Sequence, residues 1–140
     1  MGTNDFHHSK VSSILVVDDD RAIRLLMCKQ LELFGFKVDQ AEDGLEAVRL
    51  FENNRYCVIF MDIQMPRLNG LQATAAIRHH EEQLCWKPTP IIATTSGGAS
   101  RELCLTVGMS DYLAKPVDIE KLEIVLEKWK CRNSCAQLVI

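Results

Sequence analysis

The hydrophobic positions of this chain alternate between short continuous runs and segments with helical spacing. Continuous apolar runs bounded by turn residues predict buried strands, and apolar residues three and four apart predict helices. The pattern predicts strands over 13–17, 36–41, 57–62, 89–95 and 111–115. It predicts helices over 21–35, 43–54, 70–82, 99–108 and 118–130.

This order is a strand followed by a helix, repeated five times. Such alternation indicates a parallel sheet with helices on both faces and right-handed crossovers. The apolar strands fit this arrangement because both faces of a parallel sheet are buried. The predicted fold class is therefore α/β, with a doubly wound five-stranded parallel sheet. Ligands of such sheets bind beyond the carboxyl ends of the strands, so the residues at those ends are the first candidates for a site.

The first two helices are predicted from the spacing of their apolar residues. The first helix has apolar residues at helical intervals, among them Leu25, Leu26 and Leu33, and Gly35 is a suitable residue to end it. In the second helix, Leu45, Val48, Leu50 and Phe51 are predicted to face inward.

Four strand ends carry polar residues that complement one another chemically. Three aspartates, 18–20, end the first strand, and Asp62 ends the third. Two threonines and a serine, 94–96, end the fourth, and Lys115 ends the fifth. Because parallel strands place their carboxyl ends along one edge, we expect carboxylates, a hydroxyl and an ammonium to converge there.

Carboxylates this close repel and raise one another's pKa unless a cation lies among them. Mg²⁺ suits such a pocket because it prefers a few carboxylates, water and phosphate oxygens. With that charge neutralised, Asp62 can approach a phosphoryl group, and carboxylates are among the nucleophiles that accept one. The turn residues Met65-Pro66 and Asn69-Gly70 then lead the chain away from the pocket.

Composition bounds the remaining possibilities. The chain has 140 residues, 47% of them hydrophobic and 25% charged, which is typical of a single globular domain. The net charge of -3 argues against a broad nucleic-acid or anionic-membrane surface. Apolar stretches fall well short of the roughly 20 residues that span a bilayer, and the start lacks a signal-peptide core. The expectation is a cytoplasmic protein with a flexible segment over 1–12 and a tail over 131–140.

The six cysteines are scattered and form no Cys-x-x-Cys pair. Those at 28, 57, 85 and 104 are interpreted as small apolar residues in a reducing compartment. Cys131 and Cys135 are close enough in sequence to oxidise together or to share a metal, a less favoured alternative.

Four segments then resemble a known family: ILVVDDD, FMDIQMPRLNG, PIIATTS and DYLAKPVD. In this order and spacing, residues 13–130 resemble the receiver domain of two-component response regulators. The resemblance implies a flavodoxin-like fold with strand order 2-1-3-4-5. It also implies that the Lys115–Pro116 peptide bond is cis, which costs little for a bond before proline.

The resemblance assigns a role to each residue at the strand ends. Asp62 is the implied phosphoacceptor. Asp18 and Asp19 form the acidic pair that holds Mg²⁺ (or Mn²⁺), with Asp19 and Asp62 as direct ligands. The backbone carbonyl of Gln64 is a further implied ligand.

Three more residues match the catalytic and switching positions of the family. Thr95 resembles the switch hydroxyl, Lys115 the lysine that pairs with the phosphoryl group, and Tyr112 the aromatic switch. Thr94 remains an alternative to Thr95, and Tyr112 could instead be a packing residue. Asp20 is interpreted as a helix cap rather than a ligand.

Other side chains near these segments receive simpler interpretations. His79 and His80 are predicted to be solvated, and Trp86 to cover an edge or contact a partner. The segment 96–100 is shorter than usual for the family, which predicts a mobile loop and a weakly formed fourth helix.

The predicted function is phosphoryl acceptance from a histidine kinase or a histidine-phosphotransfer domain, followed by altered contact with an output protein. The chain would act as a signalling phosphoacceptor that assists its own phosphorylation and dephosphorylation, not as an enzyme on another substrate. It would bind neither nucleic acid nor membrane. A phosphorylation-dependent dimer could form through the fourth helix, fifth strand and fifth helix. The alternatives are a receiver module of a larger hybrid kinase and a scaffold independent of phosphorylation.

Overall fold

Strands and helices alternate along the chain as the hydrophobic pattern predicts. The computed structural model describes residues 13–97 and 100–131. The strands within these ranges are β1 (Ser13–Val17), β2 (Lys37–Ala41), β3 (Val58–Asp62), β4 (Ile91–Thr95) and β5 (Asp111–Ala114). The helices are α1 (Arg21–Leu33), α2 (Gly44–Asn53), α3 (Gly70–Leu84), α4 (Arg101–Thr106) and α5 (Ile119–Lys128). The predicted flexible segment 1–12 and residues 132–140 of the predicted tail lie outside the described residues, as do residues 98–99 of the predicted mobile loop.

The five strands form one parallel sheet in the order β2-β1-β3-β4-β5. This order confirms the predicted fold class. The direction of winding reverses at β1, so the carboxyl ends of β1 and β3 flank the place where doubly wound sheets bind ligands.

Short polar side chains determine where each helix begins. A side-chain oxygen of the residue before each helix accepts a hydrogen bond from the third backbone N–H of that helix, at 2.9 to 3.1 Å. The capping residues are Asp20, Asp43, Asn69, Ser100 and Asp118. Each cap satisfies a backbone donor that has no partner inside its helix. The prediction that Asp20 is a helix cap is therefore confirmed.

The sheet separates two hydrophobic layers. On one face, Ile14, Phe60 and Ile92 pack with residues of α1 and α5. On the other, Leu15 and Met61 pack with residues of α2, α3 and α4. All five residues of β3 are buried, and burying each large apolar side chain contributes roughly 1.5–3 kcal/mol. The central strand that carries Asp62 is therefore held rigidly from both sides.

The predicted inner face of α2 is partly wrong, and several of the leucines that indicated α1 are exposed. The buried residues of α1 include Arg24 and Leu31, whereas Leu26 and Leu33 are 59% and 80% exposed. In α2, Phe51 is buried as predicted, but Leu45 is 45% exposed. Both helices have apolar residues on two sides, so their spacing alone does not select the side that packs on the sheet.

The predictions for two cysteines also require correction. Cys57 and Cys131 are joined by a disulfide across 74 residues of sequence, with Cα atoms 5.8 Å apart. Cys57 precedes β3 and Cys131 follows α5, so their proximity depends on the tertiary fold. Cys131, predicted as the first residue of the tail, is buried, whereas Cys135 lies outside the described residues. Cys28, Cys85 and Cys104 are free thiols, and Cys85 is exposed.

The connection between α3 and β4 is a packed structure. The rings of Phe51, His80 and Trp86 meet edge-on with centroids 5.5 to 5.9 Å apart. The Arg55 guanidinium lies 4.2 Å from the centre of the Trp86 ring. Trp86 therefore covers part of the core, whereas its predicted roles of covering an edge or contacting a partner stay predictions. The prediction that His80 is solvated is wrong because its ring is part of this cluster, whereas His79 is exposed.

Candidate functional site

The carboxyl ends of β1 and β3 bring three aspartates together. Carboxylate oxygens of Asp18, Asp19 and Asp62 all lie within 4.8 Å of one another. Asp18 and Asp62 are 2% and 5% exposed, whereas Asp19 is exposed to solvent. Two buried acids and one exposed acid form a pocket with an open side, so the predicted convergence of the three carboxylates occurs.

Lys115 reaches the two buried acids from the end of β5. Its Nζ atom lies 2.9 Å from Asp18 Oδ2 and 3.4 Å from Asp62 Oδ2. Its backbone N–H donates to the carbonyl of Thr95 at 2.7 Å, which joins the ends of β4 and β5. The Lys115–Pro116 bond is cis, as predicted. The structure therefore places the ammonium between the two buried carboxylates.

The pocket perturbs the protonation of both Asp62 and Lys115. Burial, followed by the charge of Asp18, raises the pKa of Asp62 to about 7, although Lys115 and the Gln64 N–H oppose the shift. Burial alone would lower the pKa of Lys115, but Asp18 and Asp62 outweigh it and raise that pKa. Near neutral pH, Asp62 is therefore close to the midpoint of its titration, and a nearby cation would favour its ionised form.

The donor set fits a hard divalent cation. One ammonium, that of Lys115, faces three carboxylates. Asp18 Oδ2 is buried, and it lies 2.9 Å from the Lys115 ammonium. Oxygen ligands on an open pocket match the preference of Mg²⁺, which keeps part of its water shell when bound by proteins. Asp18, Asp19 and Asp62 could therefore hold such an ion.

The loop between β3 and α3 packs closely against the pocket. A Cβ atom on Gly70 would lie 2.2 Å from the carbonyl oxygen of Asp62, so a larger residue there would force α3 away. The Gln64 N–H donates to Asp62 Oδ1 at 3.3 Å. Arg67 pairs with the buried carboxylate of Asp43 at the start of α2. Of these contacts, the Gln64 N–H restrains the Asp62 side chain directly, whereas the assignment of the Gln64 carbonyl as a ligand stays a prediction.

The two threonines at the end of β4 are both buried. The Cα of Thr94 pairs with that of Asp62 across the sheet, whereas the Thr95 hydroxyl accepts a hydrogen bond from the Gly97 N–H at 3.1 Å. Tyr112 is half-buried beside Ala93 on the α2–α4 face of the sheet. The choice of Thr95 and the switching role of Tyr112 stay predictions.

Two supporting contacts were not predicted from the sequence. The Arg24 guanidinium donates to the Asp18 carbonyl at 2.8 Å, and Arg67 pairs with Asp43. Arg24 stands at helical spacing with Met27, Cys28 and Leu31, so a charged residue on an apolar face was the available signal. The pairing of Arg67 with Asp43 has no comparable signal, because it depends on how two loops meet.

Comparison with known proteins agrees with this geometry. Residues 14–127 match the family model of the response regulator receiver domain. The chain belongs to this family and is a receiver domain of two-component signalling.

Curated relatives include proteins of two architectures. The chain is 39% identical over 118 residues to the CAI-1 autoinducer sensor kinase/phosphatase CqsS of Vibrio cholerae, covering 83% of this chain and 17% of that protein. It is 38% identical over 109 residues to the response regulator MprA of a Mycobacterium species, covering 78% of this chain and 46% of that protein. The chain therefore spans less than half the length of these relatives.

Solved receiver domains share the fold over nearly their whole length. One is the receiver domain of the sensor histidine kinase PA1611 of Pseudomonas aeruginosa, with magnesium coordinated in its active-site cleft. It has 38% identity and a TM-score of 0.76, with 85% of this chain and 97% of that chain covered. Another is the Ssk1 receiver domain of Saccharomyces cerevisiae, in complex with the phosphotransfer protein Ypd1. It has 29% identity and a TM-score of 0.81, with 87% of this chain and 90% of that chain covered.

No described helix of the present chain has the length and apolar character of a membrane span.

Proposed function

We propose that Asp62 accepts a phosphoryl group from the phosphohistidine of a histidine kinase or a histidine-phosphotransfer domain. The observation that carries this proposal is the convergence of three carboxylates within 4.8 Å of one another, beside the ammonium of Lys115. Kinases, response regulators and a receiver bound to a phosphotransfer protein are among the similar proteins. The same chemistry serves a separate regulator and a receiver module of a larger hybrid kinase.

The residues that would hold Mg²⁺, or Mn²⁺ in its place, are Asp18, Asp19 and Asp62, together with the backbone carbonyl of Gln64. When bound, the ion neutralises the carboxylates and supplies positive charge and orientation for the oxygens of the incoming phosphoryl group. The PA1611 receiver, which coordinates magnesium in its cleft, supports this assignment.

Asp62 supplies the nucleophilic oxygen. It must be ionised to attack, and its lone pair forms the new P–O bond while the P–N bond to the donor imidazole breaks. The Gln64 N–H at Oδ1 and the Lys115 ammonium near Oδ2 restrict the carboxylate's rotation. Attack therefore starts from a carboxylate whose direction is set before the donor arrives.

Lys115 and Thr95 bind the transferred group. Lys115 already lies between two carboxylates, so a small movement lets its ammonium pair with a phosphoryl oxygen. The Thr95 hydroxyl would donate to another. Because the Lys115 N–H is bonded to the Thr95 carbonyl, movement at either residue is transmitted to both strand ends. The chain therefore assists its own phosphorylation by charge and position.

The output surface is the face formed by α4, β5 and α5. Tyr112 is the aromatic side chain that would change position in response to Thr95. Asp111 supports a linked response of these elements. It accepts from Trp129 Nε1 at 3.0 Å and pairs with Lys128 at 2.9 Å and Arg101 at 3.8 Å, thereby joining β5 to α5 and α4. A phosphorylation-dependent dimer or an output protein would use this face.

The phosphodonor would dock on α1, through a helix that presents its histidine to Asp62. The first turn of α1 follows the acidic residues directly, and its outer face carries the exposed side chains of Ile23, Leu26 and Leu33. An apolar face next to a pocket that a protein-borne histidine must reach is suited to such docking.

Substitution of Asp62 by Asn tests the phosphoacceptor assignment. Asn has no carboxylate oxygen to form the acyl phosphate, so Asp62→Asn is expected to abolish labelling by radioactive acetyl phosphate in the presence of Mg²⁺. Asp39→Asn makes the same chemical change on β2 and should leave labelling intact. If Asp62→Asn were labelled as strongly as wild type, with the label at one other residue, Asp62 would not be the phosphoacceptor.

A further inference from the structure

Arg24 is a buried cation adjoining the acidic pocket. Arg24 is 7% exposed. Nη1 donates to the main-chain carbonyl of Asp18 at 2.8 Å, and Nε donates to Oε1 of Gln40 at 3.0 Å. No described carboxylate forms an ion pair with it. Burying a charge is costly unless its surroundings compensate, so this placement of an arginine calls for a physical reason.

The contacts of Arg24 complete the anchoring of Asp18. The Asp18 N–H donates to the Ala41 carbonyl at 3.1 Å, and Asp18 Oδ1 accepts from the Asp20 N–H at 2.9 Å. The bond from Arg24 fixes the remaining main-chain group, the carbonyl. Asp18 is therefore held by β2, by its own turn and by α1 at once. Asp19 follows directly, so the same bonds limit where its carboxylate lies.

The charge of Arg24 also suits this position. The guanidinium carries a positive charge, and the two oxygens that accept its hydrogen bonds, the Asp18 carbonyl and Gln40 Oε1, offset part of the cost of burying it. An apolar side chain such as Met would provide neither the hydrogen bonds nor the charge.

We propose that Arg24 is a positioning residue that holds the acidic pair in the geometry required to bind the divalent cation. This inference rests on the proposed function. Arg24 acts through the main chain of Asp18 rather than on the ion itself. Groups that orient metal ligands in this way typically account for a 10–100-fold change in metal affinity.

The test is a calorimetric titration of Mg²⁺ into folded Arg24→Met and Arg24→Lys proteins. Arg24→Met is expected to raise the Kd for Mg²⁺ by about 10–100-fold. Arg24→Lys keeps the charge and one donor, so its Kd is expected to lie between those of wild type and Arg24→Met. In acetyl phosphate labelling, Arg24→Met should need more Mg²⁺ for half-maximal rate but approach the wild-type rate at saturation.

Arg78→Met is the matched control. Arg78 is half-buried and also donates to a main-chain carbonyl, that of Gly108, at 2.9 Å, but near the amino-terminal ends of the strands. Unlike Arg24, it also pairs with a carboxylate, that of Glu81. Both Met variants should unfold at lower denaturant concentration. Only Arg24→Met should change the Kd for Mg²⁺, which separates positioning from a merely structural contribution.

A folded Arg24→Met protein with the wild-type Kd would overturn the proposal. If that variant does not fold, Arg24→Lys replaces it, because an ammonium cannot reproduce both bonds of the guanidinium fork, and its Kd for Mg²⁺ should exceed that of wild type. An unchanged Kd there overturns the proposal equally. Failure of the wild-type protein to bind Mg²⁺ or to be labelled would instead refute the proposed function.

Discussion

At the scale of single residues, Asp62 stands between a repulsive carboxylate and an attractive ammonium. Asp18 and burial raise its pKa, Lys115 lowers it, and the result is a pKa of about 7. A carboxyl group in this state can be neutralised either by a proton or by a bound cation. Protons and a divalent cation would therefore compete for Asp62 near neutral pH.

This competition predicts how stability depends on pH without metal. Asp62 binds a proton more tightly in the folded than in the unfolded state, so its contribution to the free energy of unfolding falls as pH rises from about 4 to about 7. Between pH 5 and pH 7.5, wild type should lose about 2 kcal/mol relative to Asp62→Asn. Urea unfolding in EDTA measures this difference, and parallel pH profiles for the two proteins would contradict the shifted pKa.

The central acids were predictable because each one ends a recognisable strand. Asp18, Asp19 and Asp62 converge as a direct consequence of parallel strand order, and Lys115 follows from the same rule. Arg24 was not predicted because its role depends on a main-chain carbonyl, which no side-chain motif reveals. Thr94 and Thr95 are adjacent and both buried, so sequence pattern alone does not decide which hydroxyl serves the site.

At the scale of elements, α1 has two functional faces. Its inner face carries Arg24, which holds the turn that contains Asp18 and Asp19. Its outer face carries Leu26 and Leu33, the apolar residues at which the proposed phosphodonor would dock. A single helix would therefore connect donor binding to the geometry of the pocket.

Docking on α1 predicts selective loss of protein-mediated transfer in Leu26→Glu. The donor is a phosphorylated histidine-phosphotransfer domain that labels wild type. A charge at the centre of an apolar contact should slow transfer from this donor by about tenfold or more when the donor concentration is below saturation. Labelling by acetyl phosphate, which needs no docking, should be unchanged. Leu84→Glu on α3 is the control, because Leu84 is also exposed. Equal transfer rates in wild type and Leu26→Glu would exclude this face.

Element order was predictable from periodicity, but the packed side of a helix was not. In α1 and α2, apolar residues occur on both sides, and the exposed Leu45 was assigned to the core for that reason. The Cys57–Cys131 disulfide was likewise not predictable from the sequence pattern. It joins residues that only the finished fold brings together.

At the scale of the whole molecule, the candidate site and the proposed output surface lie in different parts of the fold. One edge gathers the acids, Thr95 and Lys115, and the bond from the Lys115 N–H to the Thr95 carbonyl joins β4 to β5 there. Asp111, at the start of β5, ties that strand to α4 and α5. Phosphorylation at one edge would therefore bias the arrangement of a whole face, as in other two-state switches.

The proposed function depends on an acidic pocket that binds a divalent cation. A calorimetric Mg²⁺ titration of variants at two adjacent residues, 19 and 20, tests this most directly. Asp19→Asn removes a carboxylate of the cluster and should raise the Kd for Mg²⁺ by at least about tenfold. Asp20→Asn removes an equal charge one residue away but keeps the capping oxygen, so its Kd should stay within about threefold of wild type. Equal Kd values in wild type and Asp19→Asn, or equal weakening in both variants, would contradict the account.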